Sequence, residues 1–124
     1  MGDRVFFAFC DVRDPVVIPY LEHFAESADA YIRLHALIGL RAIGSLRSAP
    51  VFLRVLDEHR DDIDFIAMQS LIELAGGGEI GWVPRFEQFS ASPDLYAAMC
   101  RAWWRTEGEA KARARVRTKG FESR

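Results

Sequence analysis

Along the chain, a proline followed by large apolar residues two and five positions later is written three times. The copies are Pro19-Tyr20-Leu21-Glu22-His23-Phe24, Pro50-Val51-Phe52-Leu53-Arg54-Val55 and Pro84-Arg85-Phe86-Glu87-Gln88-Phe89. They stand 31 and 34 residues apart, the length of a two-helix repeat. Proline is tolerated in the first turn of a helix, and apolar residues three apart share a helix face. Each phrase therefore predicts a short first helix with one buried side. Between the first two phrases, Ala30 to Ile43 is apolar on nearly every side of a helical projection, and such a helix must be covered on several faces. Shifted by 34 residues it falls on Asp64 to Leu74, matching Tyr31 to Phe65, Ile32 to Ile66, Ala36 to Ser70, Leu37 to Leu71 and Leu40 to Leu74. A further shift of 32 residues puts Leu95 to Trp104 in the same role, with Ala102 at the small position and Trp103 at the Leu71 position.

The punctuation agrees with this division. Ser27 or Asp29 is placed to cap the helix over 30–43, Gly44 to end it, Ser48 to precede the helix start at Pro50, and Gly76-Gly77-Gly78 to close the helix before them. Ser92-Pro93-Asp94 opens the last long helix. Period-two alternation is confined to Arg4 to Val12, where a helix is still preferred because a lone strand has no partner for its hydrogen bonds. The expected organisation is one all-α domain over 1–124. It has an N-terminal cap at 1–13, helical repeats at 14–45, 46–78 and 79–107, and a basic C-terminal extension at 108–124.

The run Asp29-x-x-x-Arg33-x-x-Ala36-Leu37-x-x-Leu40-x-x-Ile43-Gly44, after a Pro-x-Leu first helix, resembles HEAT repeats, in particular the short bacterial HEAT-like type also found in phycobilisome lyases. The resemblance covers roughly residues 13 to 106. Asp29 and Arg33 match the family's turn Asp and helix Arg, whereas the next copy has Ala67 in place of that Arg. What the resemblance implies is an α-α superhelix, or solenoid, of about three hairpins with second helices on the concave side. By analogy alone it also implies a third reading, a lyase or chaperone for a bilin chromophore.

Composition narrows the setting. Of 124 residues half are apolar, enough for one core. The apolar stretch from Ala30 to Ile43 is broken by Arg33, His35 and Arg41 and is too short to cross a bilayer, so no membrane association is expected. The N-terminal run Val5 to Cys10 lacks a signal-peptide cleavage pattern, and Phe6 stands where myristoylation after Gly2 wants Ser or Thr. Two cysteines, Cys10 and Cys100, make no disulfide framework, and a reducing, cytoplasmic location is expected. Residues 1–100 carry 8 Lys/Arg against 15 Asp/Glu, a net of −7, while residues 101–124 carry 8 against 3, a net of +5. An acidic body thus bears a basic tail.

Catalytic chemistry is not written in the chain. His23, His35 and His59 are isolated, no cysteine pair has ligand spacing, and Gly76 to Gly81 lacks the Lys-Ser/Thr of a phosphate loop. The acidic turn around Asp57-Glu58 and Asp61-Asp62-Asp64 does not follow the ligand order of an EF-hand. Hence no enzyme activity, cofactor or metal is expected. In the repeat register, His35 and Gly39 align with Gln69 and Glu73, and these with Arg101 and Arg105. Positions four apart share a helix face, and stacking would line them into one stripe. As a solvated edge it would pair Glu73 with Arg101 or Arg105; as a groove it would bind a partner through His35, Gln69, Glu73, Arg101 and Arg105, with Trp104 as anchor. Trp103 and Trp104 point about 100 degrees apart, so one can be buried with the other exposed. The leading expectation is a non-enzymatic module that binds a protein partner on its concave face, with homodimerisation through a terminal repeat open to it. The alternative is nucleic-acid binding through Lys111, Arg113, Arg115, Arg117 and Lys119.

Overall fold

A computed structural model describes residues 14–56, 61–78 and 80–122, and every regular element among them is helical. After a 3₁₀ turn at Pro15–Val17, the helices are α1 (Ile18–Phe24), α2 (Ala30–Ile43), α3 (Ala49–Val55), α4 (Asp61–Leu74), α5 (Phe86–Ala91), α6 (Pro93–Trp103) and α7 (Glu109–Glu122). The proposed N-terminal cap at 1–13, with Cys10 and the run Arg4 to Val12, lies outside the described residues, as do Asp57, Glu58 and His59.

Most ends form as their residues dictate. The Asp29 carboxylate accepts from the N–H groups of Tyr31 and Ile32 at 2.9 and 3.3 Å, filling two of the donors that a helix start leaves open. Gly44 ends α2 at φ +67° with its N–H on the Leu40 carbonyl. At the end of α4, Gly76 and Gly77 donate to the carbonyls of Glu73 and Ile72, and the positive φ of 110° and 66° that this requires is open to glycine. Ser48 departs from expectation. Ser45 caps the 3₁₀ turn Leu46–Ser48 ahead of α3, while Ser48 is buried with no partner for its hydroxyl.

Short helices pack on the long ones that follow them, α1 on α2 and α3 on α4, and the hairpins join through α2 against α4 and α4 against α6. Leu21 and Phe52, two places after the prolines of the first two phrases, are wholly buried, as are Ala36, Leu37, Leu40, Met68 and Leu71 on the long helices. The third copy differs. Pro19 and Pro50 sit in the first turn of their helices, but Pro84 precedes α5, which begins only at Phe86. This displacement leaves Phe86 39% exposed and puts Phe89 in the core, where Phe65 meets both rings edge-on at 5.3 and 5.4 Å. Ala102 is exposed although its counterparts Ala36 and Ser70 are buried, so the third long helix is turned out of the repeat register.

Helices α6 and α7 are one continuous helix through a π-helical turn at Trp104–Gly108, in which the Glu109 N–H reaches back five residues to the Trp104 carbonyl. Thr106 supplies what the widened turn lacks, donating its hydroxyl to the Ala102 carbonyl at 2.9 Å. Gly108 is buried against both neighbouring indoles, and a Cβ there would lie 2.9 Å from ring atoms of Trp103 and Trp104. Beyond the turn, α7 runs on across the 3₁₀ turn Leu46–Ser48, with Ala112 buried. Gly108→Ala is expected to lower stability by about 1–3 kcal/mol through overpacking, and Asp29→Ala by about 1 kcal/mol through loss of the cap, both read from urea unfolding midpoints.

Candidate functional site

The six stripe residues do not form one wet face. His35 is half-buried with its ring 4.3 Å from that of Tyr31, and its companion Gly39 is buried. Gln69 and Glu73 are held by Arg41: its guanidinium donates to both Glu73 carboxylate oxygens at 2.8 and 2.7 Å and to the Gln69 side-chain oxygen at 3.2 Å. That bond to Glu73 holds the Arg41 charge above even its ordinary range, against the effect of partial burial. The pairing of Glu73 with Arg101 or Arg105 is therefore replaced by one with Arg41. Arg41 occupies the last turn of α2, where the second copy has Ala75. The signal for it was an Arg 32 residues from Glu73, close to the repeat period.

Arg101 turns the other way, donating to the Leu53 carbonyl at 2.6 Å near the end of α3. Arg105 is exposed. Trp103 and Trp104 are both buried, at 6% and 5% exposure, because different neighbours cover them: Trp104 faces the 3₁₀ turn and α3, Trp103 packs on Trp82, and Gly108 leaves room for both indoles. The expected division into one buried and one exposed tryptophan does not occur.

One cation of the basic tail is engaged with the body and two pair along their own helix. Arg115 donates to the carbonyls of Glu73 at 2.6 Å and Leu74 at 3.0 Å, so a cation closes the negative end of α4. Its aliphatic stem passes so close to Gly76 that a Cβ there would be 3.2 Å away. Arg113 bonds Glu109 one turn back at 2.8 Å, and Lys111 stands 3.8 Å from Glu107. Arg117 is exposed; Lys119 belongs to α7, with its side chain outside the described residues.

A cleft of about 400 Å³ opens to solvent between the second hairpin and the last helix. Leu46, Pro50, Leu53 and Trp104 give it an apolar lining, with Arg47, Glu109 and Arg113 as its charged members. Arg47 also pairs with Glu22 at 3.1 Å, and Arg54 with Glu26 at 2.7 Å, linking the first hairpin to the second along their short helices. Among the described residues no three His, Cys, Asp or Glu side chains gather as metal ligands. Nor is any described helix long and apolar enough to cross a membrane. No protein-family model, curated protein or solved structure matches the chain.

Cys100 lies wholly in the core, and burial pushes its thiol from 9.0 up to about 12, with Arg101 acting weakly in the opposite sense. An unfolded chain gives up this proton near 9 while the folded one keeps it, so the raised value lowers stability as pH climbs from there toward 12. Urea midpoints of wild type and Cys100→Ala, compared below and above this window, are expected to show an alkaline loss steeper in the wild type than in the variant, by up to about 1.4 kcal/mol per pH unit. A double-mutant cycle of Arg41→Ala and Glu73→Ala is expected to give a coupling of about 0.5–1 kcal/mol, since both side chains keep substantial exposure.

Proposed function

We propose that this protein is a non-enzymatic, HEAT-like binding module that holds a protein segment in the cleft floored by Trp104. The observation that carries this reading is the composition of the cleft: an apolar lining from Leu46, Pro50, Leu53 and Trp104 beside Arg47 and Arg113, whose guanidinium groups pair at the surface with Glu22 and with Glu109 of the cleft wall and can exchange these for a partner's carboxylates. Buried tryptophan flanked by arginine is the combination that dominates binding energy at protein interfaces. A segment with one or two large apolar side chains next to carboxylates is the complement of such a cleft. The HEAT-like reading is supported by the repeated Pro-x-apolar phrase and by the way α2 packs on α4. The stripe residues contribute to this proposal as a frame: Arg101 fixes the end of α3 through the Leu53 carbonyl, and Gln69 and Glu73 brace α4 against α2 through Arg41.

The engagement of the tail favours a protein partner over nucleic acid. Phosphate contacts draw on cations free to neutralise them, and here Arg115 is bound to the carbonyls of Glu73 and Leu74, on a body whose residues 1–100 carry a net charge of −7. Selection of peptides displayed on phage is expected to return an apolar-acidic consensus. Arg47→Glu combined with Arg113→Glu is expected to weaken the selected peptides at least about tenfold, because two charge-assisted contacts become repulsive. A consensus lacking acidic residues, or affinity unchanged in the double variant, would refute the reading. Binding to single-stranded DNA that falls steeply with salt would instead establish the nucleic-acid alternative.

A further inference from the structure

The three tryptophans of the chain form one cluster at the π turn, with Trp104 on the side of the peptide cleft and Trp82 and Trp103 on the other. The Trp82 and Trp103 ring centres are 5.9 Å apart, and those of Trp103 and Trp104 are 6.2 Å apart. Trp82 and Trp103 line a second open cleft, of about 430 Å³, whose other walls include Ile80, Thr106, Glu107 and Lys111. The indole N–H groups of both Trp82 and Trp103 are shut off from water, and neither has a hydrogen-bond partner. Buried donors of this kind are rare in folded proteins because each forfeits the hydrogen bond it makes with water when unfolded. Two of them beside one cleft, next to a widened helical turn of the sort that often accompanies functional sites, call for an acceptor from outside the chain.

We propose that this cleft binds a small planar carboxylic acid. Its ring lies against the indoles and Ile80, and its carboxylate is taken by the Lys111 ammonium and an indole N–H. The charge of Lys111 selects an anion, and its present partner Glu107 is only loosely held at 3.8 Å, so an incoming carboxylate can replace it. A cationic guest would have the indole faces and Glu107 in its favour, but it would meet Lys111 and leave both donors unbonded. Access to the donors takes a step of the Trp82 ring away from Trp103. Trp82 rides on the connection between α4 and α5, where Gly77, Gly78 and Gly81 have open space around them. This site shares no lining residue with the peptide cleft, so each stands or falls separately.

Trp82 and Trp103 line this cleft and Trp104 floors the peptide cleft, so tryptophan emission responds at both, and Lys111→Gln assigns the signal to this one. Benzoate, benzamide and benzyltrimethylammonium serve as probes of matched size and different charge. Benzoate is expected to give a saturable change in tryptophan emission, with benzamide binding at least about tenfold more weakly and the cation giving no saturable change. Lys111→Gln, at an exposed position, is expected to weaken benzoate about tenfold with an unchanged urea midpoint. Trp82→Phe, which keeps a ring and removes one donor, is expected to weaken benzoate measured by calorimetry. The proposal is overturned if benzoate gives no saturable signal, if benzamide or the cation binds as tightly, or if Lys111→Gln binds benzoate like the wild type. Peptide binding through Arg47 and Arg113 is expected to be unaffected by Lys111→Gln, which separates failure here from failure of the module reading.

Discussion

Helix α4 is apolar around most of its circumference, and the surrounding elements are arranged to keep water from it. Ile63, Ala67, Met68, Leu71 and Leu74 are all buried on this one helix. No single neighbour can cover so wide a face. Helix α3 covers one side as its hairpin partner, α2 another as the preceding long helix, and α6 with the π turn a third. The polar end groups of α4 then become the next constraint, because a helix terminus closed in by neighbours still needs partners for its carbonyls. The glycine turn satisfies some of them and Arg115 the rest.

The last helix takes its shape from that demand. It has to pack Ala97 and Cys100 against the body, pass two bulky indoles, and still bring Arg115 to the end of α4. Trp103 and Trp104 keep ordinary helical torsions and are buried against different neighbours; the π turn that follows shifts the phase of α7 relative to α6. Gly108 provides the room, and Thr106 satisfies a carbonyl in the altered ladder. A basic segment that by composition resembles a free tail thus becomes a structural strap. The aliphatic and aromatic parts of its side chains pack while the guanidinium groups find carbonyls and carboxylates.

These internal ties determine what surface is left for binding. Charges from the repeat stripe are spent in bracing neighbouring helices, with Arg41 drawing Glu73 and Gln69 together and Arg101 reaching across to α3. Two of the concave regions flank the π turn, one with Trp104, two arginines and Glu109, the other with Trp82, Trp103, Lys111 and Glu107. Both depend on the same backbone feature, and both join apolar area to positive charge.

From the sequence alone, the helical class, the hairpin phrases and most helix ends were legible, because they rest on local rules. The Pro-x-apolar phrases, Asp29 as a cap, and Gly44 and Gly76 as stops each act within a turn or two of their own position. The alignment of Ala36 with Ser70 and of Leu37 with Leu71 held as buried pairs, since two similar helices covered from similar directions bury the same positions. Only the tertiary structure decided the rest. It gave Glu73 to Arg41, turned Ala102 outward, buried both Trp103 and Trp104, and made Arg115 a cap instead of a free cation. Each of these outcomes depends on the phase and direction of a helix relative to another tens of residues away. A long side chain such as arginine can reach several partners from one position, and which it takes is set by the nearest carboxylate or carbonyl in space, a quantity that spacing along the chain does not contain.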